Sequence, residues 1–328
     1  MADLSTQYLG LTLKNPVIAG SSGLTNSVKS IQQLEAGGAG AVVLKSIFEE
    51  EIAFEYDDIL KEAESKGYDM DQFDYYDYKI KEDNLNKYTA LISESKKSVS
   101  IPVIASVNCV YSHEWLAFAS QLEKAGADAL ELNMFFLPSD FERTSEEKEA
   151  AYFGIVEKVQ EAVSIPISLK ISYYFSNLGP MIQKLSETGV EGLVLFNRFF
   201  SPDFDIDKFE VIPSNTFSAP TDLSISLRWI AIMAERVKCD LAASTGVHDG
   251  NALIKQLLAG ATAVQVVSAL YKQNKAYIGE MLQTLTDWMT AKGFDSLSDF
   301  RGKMSQAQSS NPAAYERMQF MKYFGGKG

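Results

Sequence analysis

The sequence predicts an α/β fold, a (β/α)8 TIM barrel with inserted βα loops over the C-terminal face. Three observations predict it. Eight short, almost wholly apolar runs follow one another along the chain, as parallel strands covered on both faces require. Helical spacing of apolar residues follows most of them. Four of the intervening segments end in the same Gly-rich turn before the next strand, in EAGGAGAVVL, KAGADALEL, ETGVEGLVL and LAGATAVQV, the chemistry expected of an αβ connection.

The strand candidates are residues 16–19 (PVIA), 41–44 (AVVL), 102–107 (PVIASV), 129–133 (ALELN), 167–171 (ISLKI), 192–196 (GLVLF), 240–244 (DLAAS) and 263–266 (AVQV). Helical patterns fall at 27–36, 113–125, 144–163, 178–188, 226–237 and 249–258. The third of these opens with Thr144 and Glu147, the spacing of a capping box, and Asp249 stands where the last needs an N-cap. A doubly wound open sheet shares this alternation, but it usually carries G-x-G-x-x-G after its first strand. Here that place is taken by GSSGLT, residues 20–25.

Two long segments, 49–98 and 198–225, interrupt the pattern after strand ends. In a barrel both lie over the catalytic face, where lids belong. The first is acidic and holds Tyr56, Tyr68, Tyr75, Tyr76, Tyr78 and Tyr88; a lid, a dimer surface and an amphipathic helix pair packed on the barrel all fit it. The expected organisation is one domain over 1–328, with the insert 49–98 and a C-terminal extension 304–328. In that extension Tyr315, Met318, Phe320, Met321 and Phe324 recur at near-helical spacing, an apolar stripe that suggests a homodimer contact.

Composition narrows the function. The chain has 328 residues, 46% hydrophobic and 22% charged, which is ordinary for a globular protein. Its two cysteines, Cys109 and Cys239, and two histidines, His113 and His248, are too few for a disulfide framework, an iron–sulfur cluster or a Cys/His zinc site, so no metal is expected. A net charge of −13 argues against a nucleic-acid surface, which needs a basic stripe. The start, MADLSTQYLG, lacks the basic and apolar regions of a signal peptide. No apolar run reaches the ~18 residues that span a bilayer. The expectation is a cytoplasmic protein with a small-molecule substrate and neither membrane nor nucleic acid as partner.

In a barrel, function collects where strands run into βα loops. Those positions are Gly20-Ser21-Ser22, Lys45-Ser46, Asn108, Asn133, Lys170, Asn197-Arg198, Ser244-Thr245-Gly246 and Val267-Ser268-Ala269. Lys45 and Lys170 sit in apolar strands, and a buried ammonium requires an anionic partner or a polar ligand. A strand-end lysine that reaches solvent is the alternative. A flavin offers a suitable acceptor edge, where a cation stabilises the reduced anion. Asn108 and Asn133 supply donors and acceptors for such a ring, or serve only as turn residues. Gly246 and Ser268 fall in the loops after the seventh and eighth strands, the common phosphate site of this fold. Arg198, beside Asn197, is placed to grip a substrate carboxylate.

Several stretches resemble the soluble class 1 dihydroorotate dehydrogenases, FMN-dependent (β/α)8 enzymes of pyrimidine synthesis. They are LTLKNPVIAGSSG, VVLKS, FDYYDYKI, ADALELN, the SLK of the fifth strand, AGATAVQVVSALY and GFDSLSDFRGK at 293–303. The resemblance implies FMN and a homodimer. It places Gly20, Ser21, Lys45, Ser46, Asn133 and Lys170 at the flavin, Gly246 and Ser268 at its phosphate, and Asn108 more loosely. Asn133, Asn197 and Arg198 then face the substrate. The chain departs from the family at the strand-four motif, which reads Asn133-Met134-Phe135-Phe136-Leu137-Pro138. Phe136 occupies the place of the family's Cys or Ser base, and the Asn-rich substrate loop after strand two is missing from 49–75. Thr245 and Val267 stand where the family has glycines. A positioned base contributes about 10²–10⁴-fold, so little dihydroorotate turnover is expected. Ser139 and Asp140 are the nearby candidates for a replacement base. A non-catalytic flavin-binding or interaction protein on the same scaffold, and a flavin-free phosphate-binding barrel, are the competing readings.

Overall fold

The structure, a computed structural model, describes residues 2–48, 73–108, 115–134, 136–139, 141–199 and 201–316, with the side chains of 48, 73–83 and 115–117 outside the description. Eight parallel strands form its centre: β1 (Val17–Ala19), β2 (Ala41–Val43), β3 (Val103–Asn108), β4 (Ala129–Met134), β5 (Ile167–Ile171), β6 (Gly192–Leu195), β7 (Asp240–Ala243) and β8 (Ala263–Val266). Each pairs with its sequence neighbour, and β8 pairs with β1, Gln265 opposite Ile18, which closes the ring. All eight predicted runs are strands, to within two residues at each end. The barrel is therefore the fold, and the open sheet is excluded.

Helices α1 (Val28–Ala36), α2 (Phe73–Ser98), α3 (Trp115–Lys124), α4 (Ser145–Ala162), α5 (Leu178–Ser186), α6 (Leu223–Met233) and α7 (Gly250–Ala259) alternate with the strands, and α8 (Ser268–Lys272) and α9 (Tyr277–Lys292) follow β8. Thr144 and Glu147 form the capping box of α4, and Asp249 caps α7 by accepting from the Ala252 amide at 2.7 Å. Gly126 (φ +98°) and Gly260 (φ +119°) end α3 and α7 in the left-handed region, where a side chain would be strained.

The segment 49–98 is not one lid. Residues 73–98 are α2, a single helix that makes the β2–β3 crossover. Leu85, Tyr88 and Ile92 on it are buried. The Tyr88 hydroxyl accepts from the Ser106 amide at 2.9 Å and donates to the Ser106 carbonyl at 3.1 Å, fixing α2 to β3. Tyr56 and Tyr68, and the side chains of Tyr75, Tyr76 and Tyr78, lie outside the described residues. In the C-terminal extension, Tyr315 packs on the chain's own core and its hydroxyl donates to the Met304 carbonyl. That residue is thus covered within one copy; the rest of the stripe, 317–328, is outside the described residues.

The segment 198–225 carries an antiparallel hairpin, Ser201–Asp205 paired with Glu210–Ser214. Directly paired residues share a face, so Pro202, Phe204, Val211 and Pro213 form one apolar face. That face points to solvent, with Phe204 at 68% and Val211 at 63% exposure.

The barrel interior is layered. Its lower layer is apolar: Ile18, Ala41, Val43, Ile104, Ala129, Val194, Ala242 and Ala263. An N-terminal hairpin, Thr6–Tyr8 with Leu11–Leu13, closes it from below. Leu9 and Gly10 turn this hairpin with φ of +54° and +72°, the type I′ geometry that matches strand twist. Leu9 is fully buried, and its amide donates to Asp240 Oδ2 at 2.8 Å. Gly192 admits it, since a Cβ there would come within 2.5 Å of Leu9 Cδ2.

Above lies a polar layer. Ser106, Glu131 and Ser168 are in register across β3, β4 and β5. Glu131 is 1% exposed. Lys170 Nζ lies 3.8 Å from Glu131 Oε1 and donates to Gln265 Oε1 at 2.8 Å. Gln265 Nε2 in turn donates to Glu131 Oε2. The amide joins cation and carboxylate across the barrel.

Two variants test these layers. Leu9→Ala empties a closed site and is expected to lower stability by about 3 kcal/mol in urea unfolding. Lys170→Met strands the Glu131 charge and should cost about 3 kcal/mol, most of it recovered when Glu131→Gln is added.

Candidate functional site

Strand alternation carries the same inward face up to the C-terminal mouth. Two residues beyond each inward position of the layers below come Gly20, Lys45, Asn108, Asn133, Lys170, Phe196, Ser244 and Val267. Asn108, Asn133 and Lys170 are opposite one another on β3, β4 and β5. This is why strand-end residues far apart in sequence share one site.

A chamber of about 530 Å³ opens here. Six of the predicted cofactor residues line it: Ser21, Ser46, Asn133, Lys170, Gly246 and Ser268. Asn197 and Arg198 line it as well. Lys45 is half-buried and Asn108 is buried; neither lines the chamber, and nor does Gly20. Gly20 is nevertheless required at the rim, because a Cβ there would sit 2.8 Å from Val267 Cγ2.

One end of the chamber is held by serines. Ser21 Oγ accepts from the Ser46 amide at 3.0 Å and lies 3.1 Å from Ser46 Oγ, which is 2.7 Å from Ser106 Oγ. The Tyr88 clamp on Ser106 anchors the row. The middle holds Lys170, already tied to Gln265 and Glu131. Asn133 Oδ1 is buried with no hydrogen-bond partner, an acceptor that a ligand N–H would satisfy. At the far end Ser268 Oγ accepts from the Ser218 amide at 3.0 Å, Lys272 Nζ donates to the Ser218 carbonyl at 2.9 Å, and Ser218 Oγ lies 3.0 Å from His248 Nε2. Burial and the nearby Lys272 charge hold the His248 imidazole below the usual His range. Gly246 lies against the start of α6, where a Cβ would be 2.1 Å from the Leu223 nitrogen.

These features fit a flavin mononucleotide. The chamber has a row of hydroxyls at one end, a cation and an unpaired buried acceptor in the middle, and glycine- and serine-bearing loops at the other end. Among the described residues no group of three or more His, Cys, Asp or Glu could hold a metal ion, and no helix is long and apolar enough to cross a membrane.

The other predicted residues are placed differently. Asn197 Nδ2 donates to the Lys170 carbonyl at 3.0 Å. Arg198 Nη1 donates to the Thr216 carbonyl at 2.8 Å, Nη2 to the Asn215 carbonyl, and Nε lies 3.8 Å from Asp222 Oδ2. Its fork thus holds the hairpin segment. Phe136 turns onto α4: its ring meets Tyr152 edge-on at 5.0 Å, and it lines neither this chamber nor the one beside it. Burial pushes the Tyr152 hydroxyl up to about 12, so it stays protonated at neutral pH. Ser139 is exposed and outside both chambers; Asp140 lies outside the described residues. Glu131 and Gln265 are site residues that the strand-end reading misses. Their signal is the same as that of Lys170, a charge or amide in an otherwise apolar strand.

A second chamber of about 490 Å³ adjoins the first and shares Asn197, Arg198, Ser244 and Thr245 with it. Tyr173, Tyr174, Phe196 and Phe199 line its other side.

Comparison with known proteins agrees with this geometry. The family model described as dihydroorotate dehydrogenase matches residues 65–289. A protein of Thermoplasma volcanium named "Dihydroorotate dehydrogenase B (NAD(+)), catalytic subunit" is 26% identical over 324 residues, covering 92% of this chain and 98% of that one. Proteins of the same name from Methanothermobacter thermautotrophicus and Pyrococcus furiosus are 26% and 24% identical, each over 91% of this chain and 97% and 98% of their own. With the fold, the polar mouth and a family match over most of its length, the chain belongs to the dihydroorotate dehydrogenase family of oxidoreductases.

Proposed function

We propose that the chain is an FMN-dependent oxidoreductase that holds its cofactor in the first chamber, acts on a small planar compound, and oxidises dihydroorotate slowly. The observation that carries the reading is the half-buried Lys170 beside the unpaired Asn133 acceptor in a chamber bounded by the loops after β7 and β8. FMN, when bound, supplies two-electron exchange with a CH–CH bond. The chain supplies the surroundings. Lys170 presents a positive charge that the Gln265–Glu131 relay holds in place, favouring negative charge on the reduced ring. Asn133 Oδ1 accepts from a ring N–H. The backbone around Gly246 and Ser268 binds phosphate. The wall shared by Asn197, Arg198, Ser244 and Thr245 limits where a substrate ring can lie.

What the chain does not supply at the expected place is a proton acceptor. Phe136 has none, and it is packed away from the chamber. That packing favours a second reading, a flavin-binding protein on the same scaffold that turns over no dihydroorotate.

Refolding with FMN, followed by absorbance and thermal melting, tests the cofactor. Flavin absorbance and a raised Tm are expected; the absence of both overturns the reading. Steady-state assays with dihydroorotate and several acceptors are expected to fall well below the usual ~1–10³ s⁻¹. Phe136→Cys should restore turnover only in part. Wild-type turnover within that range would mean that another residue serves as base.

We also propose that the chain works as a homodimer, supported by the hairpin face of Pro202, Phe204, Val211 and Pro213. A two-stranded hairpin is marginal alone, and an exposed contiguous apolar face marks an interface. Light scattering at micromolar concentration is expected to give a dimer mass for the wild type and a monomer mass for the Phe204→Asp, Val211→Asp double variant. A monomeric wild type would overturn this.

A further inference from the structure

The second chamber is lined by four aromatic residues, Tyr173, Tyr174, Phe196 and Phe199, where the first has two, Phe217 and Tyr271. Tyr173 and Tyr174 stack with ring centroids 4.7 Å apart. Tyr174 meets Phe199 edge-on at 4.8 Å, and Tyr173 meets Phe196 edge-on at 5.7 Å. Four aromatic rings therefore wall a space of about 490 Å³. Ile225, at the start of α6 and 38% exposed, lines the rim.

The charged groups of this chamber are already spent on each other. Every nitrogen of the Arg198 guanidinium faces an oxygen of the protein: the carbonyls of Thr216 and Asn215, and Asp222 Oδ2 at 3.8 Å. Asp222 Oδ2 also accepts from the Ala219 amide at 2.9 Å. One cation and one anion cancel. Burial and the adjacent Tyr174 hydroxyl raise the Tyr173 phenol above its ordinary range, so that ring carries no charge at neutral pH. An anionic ligand such as a dicarboxylate would compete with the Thr216 and Asn215 carbonyls for the Arg198 guanidinium and would meet the Asp222 carboxylate beside it. A neutral ring makes no such demand and would pack on the accessible part of this aromatic wall, Tyr174 above all at 40% exposure.

We propose that the second chamber is a binding site for an uncharged planar ring compound, separate from the cofactor chamber and sharing one wall with it. The site is made by the loops after β5 and β6 and by α6. It goes beyond the flavin reading and does not require it, because none of the four aromatic residues lines the first chamber. The shared wall of Asn197, Arg198, Ser244 and Thr245 places such a compound within one layer of side chains of whatever the first chamber holds. The site is thus suited to a second substrate.

Calorimetric titration with 2-naphthol, a neutral two-ring probe, tests the site, with succinate as the anionic counterpart. One molar equivalent of naphthol is expected to bind, with and without FMN loaded, and succinate is not. Ile225→Trp fills the rim and should weaken naphthol binding by about tenfold or more, and Tyr174→Ala by about fivefold. Neither variant should change flavin content, which is read by absorbance. Unchanged affinity in both variants, mole-for-mole displacement of FMN by naphthol, equal binding of succinate, or no binding up to the probe's solubility would each overturn the proposal. Tyr174→Ala leaves the test intact if the tryptophan variant fails to fold. A preparation that takes up no flavin but still binds naphthol with these variant effects would sink the cofactor reading and leave this one standing.

Discussion

A carboxylate inside a barrel has to be compensated, and Glu131 is inside this one. At 1% exposure its charge is removed from water, and such a group persists only with a partner and hydrogen bonds of its own. The partner comes from the adjacent strand, Lys170, and the hydrogen bond from the opposite side of the ring, Gln265 on β8. The relay spans β4, β5 and β8, so it forms only when the ring is closed. It also sets the height of the site. Below it the interior is apolar and plugged; above it the inward residues are polar and open to the mouth. The lysine that stands at the floor of the chamber is where the buried acid requires it to be.

The mouth is divided by chemistry as well as by shape. The first chamber gathers hydroxyls, an amide and an ammonium; the second gathers aromatic rings around an ion pair that is internally satisfied. Arg198 belongs to the partition between them. Its position beside Asn197 suits a carboxylate clamp, yet its donors hold the carbonyls that lead out of the hairpin. A residue able to grip a ligand is here used to position a loop, with the Asp222 carboxylate 3.8 Å from its Nε.

Much of this was legible in the sequence, for physical reasons that can be named. The strands declare themselves because both faces are buried, so nearly every residue in them is apolar. The turns declare themselves because Gly126 and Gly260 must reach left-handed backbone. α2 is harder: its acidic, tyrosine-rich composition dilutes the stripe of Leu85, Tyr88 and Ile92. The hairpin at 201–214 is harder still, since its turn lacks the Asn-Gly or Asp-Gly signature and its apolar face points outward. Within the site, a lone cation in an apolar strand is visible at Lys170, but its partner across the barrel is 95 residues away in sequence and no local pattern announces it. The expectation that Phe136 stands in the place of a base comes from the motif. That the ring turns onto Tyr152 cannot, because the helix that receives it is set by tertiary packing.

The plug at the bottom of the barrel bears on how the chain folds. Thr6 reaches the Thr262 carbonyl, Arg301 reaches Thr6, Leu9 reaches Asp240, and Asp3 meets Asp295. The hairpin therefore takes these hydrogen-bond partners from more than two hundred residues away in sequence. Tyr8 and Leu9 are fully buried in the cluster that closes the base of the barrel, and that cluster draws on seven of its strands, from Ile18 to Ala263. Long-range pairings of this kind slow folding and prolong exposure of apolar surface. The hairpin is completed only by groups on β7, just before β8 and after α9, so it becomes structured no earlier than they do.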